Sequence, residues 1–234
     1  DGGSMERESA RGVMVELARY FPGAFAPHVA RIVVQLQAPT PEDARAALRT
    51  LAIIGKHAAA DGADAAPIDD PSLVEALLKA AAGDVGASPA RRVVRALGLL
   101  SADAAAAAWE RLLLEARRCT RCPATSAWGF RLAAAAFERR PATTAEAASA
   151  AAWLEDAHAA VGEAHCTSCP ALEEDTGGCQ ANADLKAAAV ELLVALGAAS
   201  NLHLPVMDTE GSIAVLRGLR HCRLRPTTAM LAAL

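Results

Sequence analysis

Apolar residues recur along this chain three and four positions apart, the interval that gathers side chains on one face of an α-helix. Residues 26 to 57 show the pattern twice. In A-P-H-V-A-R-I-V-V-Q-L-Q, Val29, Ile32, Val33 and Leu36 share a side; after the turn A-P-T, Leu48, Leu51 and Ile54 share a side of P-E-D-A-R-A-A-L-R-T-L-A-I-I-G-K-H. The second segment opens at Thr40-Pro41, a capping residue followed by the one residue whose missing N–H costs nothing at a helix start. Acids occupy its first turn and Lys56 and His57 its last, as the helix dipole favours. Residues 24 to 60 therefore read as a helical hairpin.

The unit repeats. Asp70-Pro71 and Ser88-Pro89 give the same start signal and predict a pair at 71 to 82 and 89 to 100, joined by G-D-V-G-A-S. A third pair is expected at 102 to 118 and about 127 to 139, across C-T-R-C-P-A-T-S. Thr143 and Glu146 form a capping box for a helix reaching about residue 164, and a helix at 183 to 200 is expected to pair with one at 209 to 222. Helix starts at 41 and 89 lie 48 positions apart, close to the roughly 40 to 47 residue period of HEAT and armadillo arrays. A two-helix hairpin cannot cover its own apolar faces, so hairpins stack. The expected architecture is all-α, a HEAT/armadillo-like α-solenoid of stacked helical hairpins, with residues 1–234 as a single helical-repeat region and a fragment of a longer solenoid. A compact helical bundle with irregular connections is the alternative.

Composition agrees with helix. Of the 234 residues 53% are hydrophobic and only 3% aromatic; the apolar share is chiefly Ala and Leu, strong helix formers. A net charge of −4 argues against a surface that holds nucleic acid by charge all over, so any such contact is expected to be local, weak or indirect. The most apolar run, A-A-A-V-E-L-L-V-A-L-G-A-A, is interrupted by Glu191, and no membrane span is expected. The opening D-G-G-S-M-E-R-E lacks the apolar core of a secretory signal, which with the chain's size suggests a reducing compartment for its six cysteines.

Those cysteines carry the strongest chemical signal. Cys119 and Cys122 in C-T-R-C, and Cys166 and Cys169 in H-C-T-S-C, are spaced as paired thiolate ligands, with Cys179 beyond. The pairs are separated by 43 residues, far more than the roughly 15 to 20 of a zinc ribbon. Unligated loop thiols are therefore expected, with no metal or cofactor; a Cys-ligated zinc or iron–sulfur site is the alternative. Glu173, Glu174 and Asp175 read as a solvated acidic loop, and His28, His57, His158, His165, His203 and His221 form no i, i+4 ligand pair. Phosphate-loop, dinucleotide, zincin and nucleophile-elbow motifs are all missing from the sequence, so an enzyme acting on a small-molecule substrate is not expected.

Basic stripes occur at Arg91, Arg92 and Arg95, at Arg117, Arg118 and Arg121, and at Arg217, Arg220 and Arg223. All three read first as solvated faces, two of them near helix C-termini, where the dipole alone favours cations. The third, spaced i, i+3, i+6, is the candidate partner-binding set, able to present guanidinium forks along one groove. Trp109, Trp128 and Trp153 are expected as core anchors.

Residues 26 to 57, with A-L-R-T-L-A-I-I-G-K after F-P-G-A-F, resemble the central spine of the Pds family, the HEAT-repeat cohesin cofactors named for precocious dissociation of sisters. Residues 183 to 219, A-D-L-K-A-A-A-V-E-L-L-V-A-L-G followed by T-E-G-S-I-A-V-L-R-G-L, look like a later helix pair of the same region. The resemblance implies a nuclear, chromatin-associated, non-enzymatic scaffold of sister chromatid cohesion. Its partners would be the kleisin subunit of cohesin and release or acetylation factors. The alternative is a generic HEAT/armadillo scaffold for another client.

Overall fold

A computed structural model describes residues 2–38, 40–61, 68–82, 87–140, 146–162 and 180–197. These residues build nine α-helices and two 3-10 segments, and their only extended pairing is an isolated parallel bridge between Ile68 and Leu100. The all-helical expectation holds. No described helix is long and apolar enough to cross a membrane. The chain divides into two compact units, residues 1–114 and residues 115–234.

The first unit contains α1 (Gly2–Tyr20), a 3-10 stretch (Pro22–His28), α2 (Val29–Gln35), α3 (Pro41–Asp61), α4 (Leu73–Ala81), α5 (Ala87–Ala96) and a 3-10 turn (Leu97–Leu99), and it takes in most of α6 (Ala102–Thr120). Helix α3 is its hub and packs against α1, α2, α4 and α5. Its sequence explains why. Leu48, Leu51 and Ile54 are buried as expected, and Ala44, Ala46, Ala47 and Ala52 are buried too, so short side chains let neighbours approach from several directions. Closest is α5, where a Cβ placed on Gly55 would collide with the backbone carbonyl of Arg95.

Three departures from the sequence reading have local causes. Helix α1 was not expected, because few apolar residues mark it and several of them stay in solvent: Met5, Val13, Leu17 and Tyr20 are all exposed. Helix α4 starts at Leu73, two residues late, since Asp70 uses its Oδ1 to accept a hydrogen bond from the Ser72 N–H at 2.9 Å and closes a turn around Pro71. Helix α5 starts at Ala87, which places Ser88 and Pro89 inside its first turn, where proline is still tolerated. The hairpins α2–α3 and α4–α5 are both in contact. The second is closed at its base: the Ile68 N–H donates to the Leu99 carbonyl at 2.9 Å and the Ser101 N–H to the Ile68 carbonyl at 3.0 Å. Ser101 then caps α6, its Oγ accepting from the Ala104 N–H.

The second unit contains the end of α6 together with α7 (Ser126–Arg139), α8 (Ala147–Gly162) and α9 (Gln180–Gly197), and α9 packs on both α7 and α8. The core includes Phe130, Leu132, Phe137, Trp153, Leu192 and Leu196. A Cβ on Gly129 would come within 2.6 Å of the Ala116 carbonyl and 2.7 Å of the Thr120 nitrogen, so glycine is what lets α7 cross the last turn of α6. Arg131 and Lys186 are the charged side chains buried in the described part of this unit. Arg131 ties α7 to α9 through a two-pronged contact with Asp184, Nη1 to Oδ2 at 3.1 Å and Nη2 to Oδ1 at 2.5 Å, with Glu191 at 3.8 Å from Nε. Trp109 and Trp153 are buried as expected, and Trp128 is half-buried. Thr143, the proposed start of the capping box, and the helix expected at 209 to 222 lie outside the described residues.

Candidate functional site

Within the first unit, α3 and its neighbours α1 and α5 enclose an open groove of about 1420 Å³. Helical repeat explains its lining. On α3, Arg45, Arg49, Ile53 and Lys56 return to one side at successive turns, and on α1 the same holds for Arg7, Arg11, Val15 and Arg19. Helix α5 adds Arg92 and Arg95. Eight Arg or Lys side chains therefore line this one surface, against three acids, Glu8, Glu16 and Glu42. Its positive character stands against a chain whose net charge is −4.

One end of the groove is latched. Arg11 Nε reaches Asp43 Oδ1 at 2.5 Å, and the Thr40 hydroxyl donates to Asp43 Oδ2. The Arg11 guanidinium holds the Asp43 carboxyl below its ordinary range, with Thr40 adding to the effect, and Asp43 in turn raises Arg11. The pair spans α1 and the first turn of α3, where an acid is favoured by the helix dipole. It positions the α1 wall.

Further along, Arg19 pairs with Glu16, and Arg7 and Arg92 are engaged as well, but other cations are not. Arg49, Lys56 and Arg95 are exposed, and their side chains make no hydrogen bond or ion pair among the described residues. Arg45 is half-buried; its Nε is buried with no hydrogen-bond partner among those residues. Burying an N–H donor without an acceptor costs about 1–3 kcal/mol. Chemically the groove can hold carboxylates or phosphates.

Of the stripe read as a solvated face, Arg92 and Arg95 belong to this groove. What the sequence reading missed is the contribution of Arg45, Arg49 and Lys56. Their i, i+4, i+11 spacing on α3 is visible in the sequence, but the periodicity marks only the apolar side and the dipole argument accounts for Lys56 without placing it beside Arg45 and Arg49. The stripe at the end of α6 is also more engaged than expected: Arg117 lies 3.9 Å from the centroid of the Trp153 ring and pairs with Asp156, and Arg118 grips Glu115 at 2.6 and 2.7 Å. Arg121 is exposed. The candidate partner-binding residues Arg217, Arg220 and Arg223 lie outside the described residues.

The C-T-R-C segment ends α6 and enters the turn that follows, with the Cys122 N–H donating to the Cys119 carbonyl at 3.1 Å. Its thiols differ. Cys119 is buried, which pushes its pKa up; Cys122 is exposed, and a hydrogen bond from the Ala124 N–H, helped by the Thr125 side chain, draws its pKa down. Among the described residues no three His, Cys, Asp or Glu side chains gather as a metal site. Cys166, Cys169, Cys179 and Cys222 lie outside them, as do Glu173, Glu174, Asp175, His165, His203 and His221. His57 lines the groove. No protein-family model matches the chain, and no curated protein or solved structure matches it either.

Proposed function

We propose that the chain is a non-enzymatic scaffold of HEAT/armadillo-like helical hairpins that holds another protein, and that the groove of the first unit is where the client docks. The observation that supports this reading is the groove itself: a long, open surface whose charged side chains come from three helices and are in good part unengaged. A surface of that kind suits an extended stretch of macromolecule better than a small molecule, which is normally enclosed on most sides. The outward apolar side of α1, with Val13, Leu17 and Tyr20 exposed, is what a neighbouring hairpin covers in a repeat array. The resemblance to the Pds family narrows the proposal to a nuclear regulator of cohesion whose client is a kleisin segment, with release or acetylation factors as further partners.

Affinity capture from native nuclear extract tests both levels, with the wild-type chain and an Arg49→Glu, Lys56→Glu variant compared side by side. Clients lost with the variant support the groove as docking surface. Cohesin subunits among them support the narrow form; transport receptors without any cohesin subunit defeat it and leave the generic scaffold. A client set indifferent to the variant defeats the groove reading.

A further inference from the structure

We infer that the groove along α3 selects an acidic segment of its partner protein, with Arg45, Arg49, Lys56 and Arg95 as the residues that read its carboxylates. This deepens the docking role proposed above and rests on it. From Arg45 to Lys56 the helix rises about 17 Å, the length of about three turns of a client helix or five residues of extended chain. Arg45 and Arg49 stand one turn apart, about 6 Å along the axis, and acids one turn apart on a client helix, or two residues apart on an extended one, keep the same step. Arg45 is half-buried one turn from the exposed Arg49, and a forked guanidinium matches the two oxygens of a carboxylate. The latch of Arg11 on Asp43 fixes the α1 wall and withdraws one cation from recognition.

Nucleic acid would also answer the charge, and three observations weigh against it. Glu8, Glu16 and Glu42 interleave with the cations and would repel a continuous run of phosphates, whereas a peptide can place a neutral or basic residue opposite each. No Phe, Tyr or Trp is among the described residues lining the groove, which leaves His57 as the one ring there to stack an unpaired base. Between the charges lie Val15, Ala46, Ala52 and Ile53, apolar patches that suit the aliphatic side chains spaced between acids in an amphipathic segment.

Fluorescence anisotropy on the full chain tests the inference, using a labelled peptide of about 16 residues, four to five helical turns, with Glu at every third or fourth position among Ala and Leu. The comparison probes are its Gln counterpart and a single-stranded DNA of similar length. The Glu peptide is expected to bind at low salt and weaken as salt rises, with the Gln peptide at least about tenfold weaker. Arg45→Glu with Arg49→Glu is expected to lose at least about tenfold. Arg31→Glu with Arg139→Glu makes the same net charge change outside the groove and is expected to leave binding as it was. Should the Arg45 variant unfold, Arg49→Gln with Lys56→Gln, both at exposed positions, serves instead. No binding of the Glu peptide, equal binding of the Gln peptide, or indifference to the groove variants overturns the inference. DNA binding as tight as the Glu peptide's, and lost with the same variants, overturns it in favour of a nucleic-acid site. Clients captured through the groove by neutral segments would sink this inference while leaving the scaffold reading intact; clients indifferent to the groove would sink both.

Discussion

Arg117, in the last turn of α6, lies over the indole of the buried Trp153 in α8, its Cζ 3.9 Å from the ring centroid, and pairs with Asp156 one turn further along α8. Sequence spacing marked both residues, one as a solvated cation and the other as a core anchor. In the fold they form one joint, a cation shielded by an aromatic face and tied to a half-exposed carboxylate. Such stacking contributes about 0.5–2 kcal/mol, and the aliphatic stem adds packing. Arg117→Ala is therefore expected to destabilise the second unit by about 2 kcal/mol, with Arg117→Lys intermediate because it keeps charge and loses the flat contact. Chemical denaturation followed by tryptophan fluorescence checks this, and an unchanged midpoint would show the stack to be idle.

Two glycines in helices make opposite predictions. A Cβ at Gly55 meets the backbone of α5, which cannot step aside, while one at Gly12 meets nothing within 4 Å. Gly55→Ala is expected to destabilise by about 1–3 kcal/mol through overpacking. Gly12→Ala is expected to stabilise by about 0.5–1 kcal/mol, since alanine loses less backbone freedom in a helix. Thermal unfolding of the two variants, run together, reads both signs.

His158 is half-buried in α8, and burial alone lowers its pKa from the ordinary 6.5. Between the lowered folded value and 6.5 the unfolded chain binds more protons, so stability rises with pH across that window. The contribution is complete above about pH 6.5 and is lost as pH falls through the folded value. Denaturation midpoints at pH 7.5 and 5.5 are expected to differ accordingly, and His158→Gln is expected to reduce the difference. Asp43, held low by Arg11, acts further into acid: its contribution is present above the ordinary carboxylate range and goes as pH falls below it, a loss that Asp43→Asn removes.

The turn after α6 offers a chemical check. Cys122 is exposed with its thiolate favoured, and Cys119 is buried with its thiolate disfavoured. Iodoacetamide at neutral pH is expected to label Cys122 well before Cys119. Peptide mapping after a short exposure reads the order, and equal labelling would show the turn opening freely in solution.

Much of the helix content was legible because a 3.6-residue period survives in composition as Ala-rich as this. Leu48, Leu51 and Ile54 announced α3, and Ser126 to Arg139 matched its expected span to within a residue. Helix starts were less legible. Pro71 follows Asp70 as it would at a helix start, yet the Asp70 side chain turns back on Ser72 and delays the helix; only the geometry separates the two outcomes. Helix α1 was hidden because Met5, Val13, Leu17 and Tyr20 face solvent, and the periodic signal was read as a signal of burial. The groove was hidden for another reason. Arg7, Arg45 and Arg95 come from three helices spread over almost ninety residues, and local pattern carries no information about which helices will share an edge.

The bridge between Ile68 and Leu100 makes the chain enter and leave the α4–α5 hairpin at adjacent points. Backbone flanking such a stem does not register how much chain lies inside it. Insertions between α4 and α5 thus leave the stem and the start of α6 in place, whereas α4 and α5 themselves are held by their packing on α3, and a single-residue shift at either side of the stem breaks the pairing.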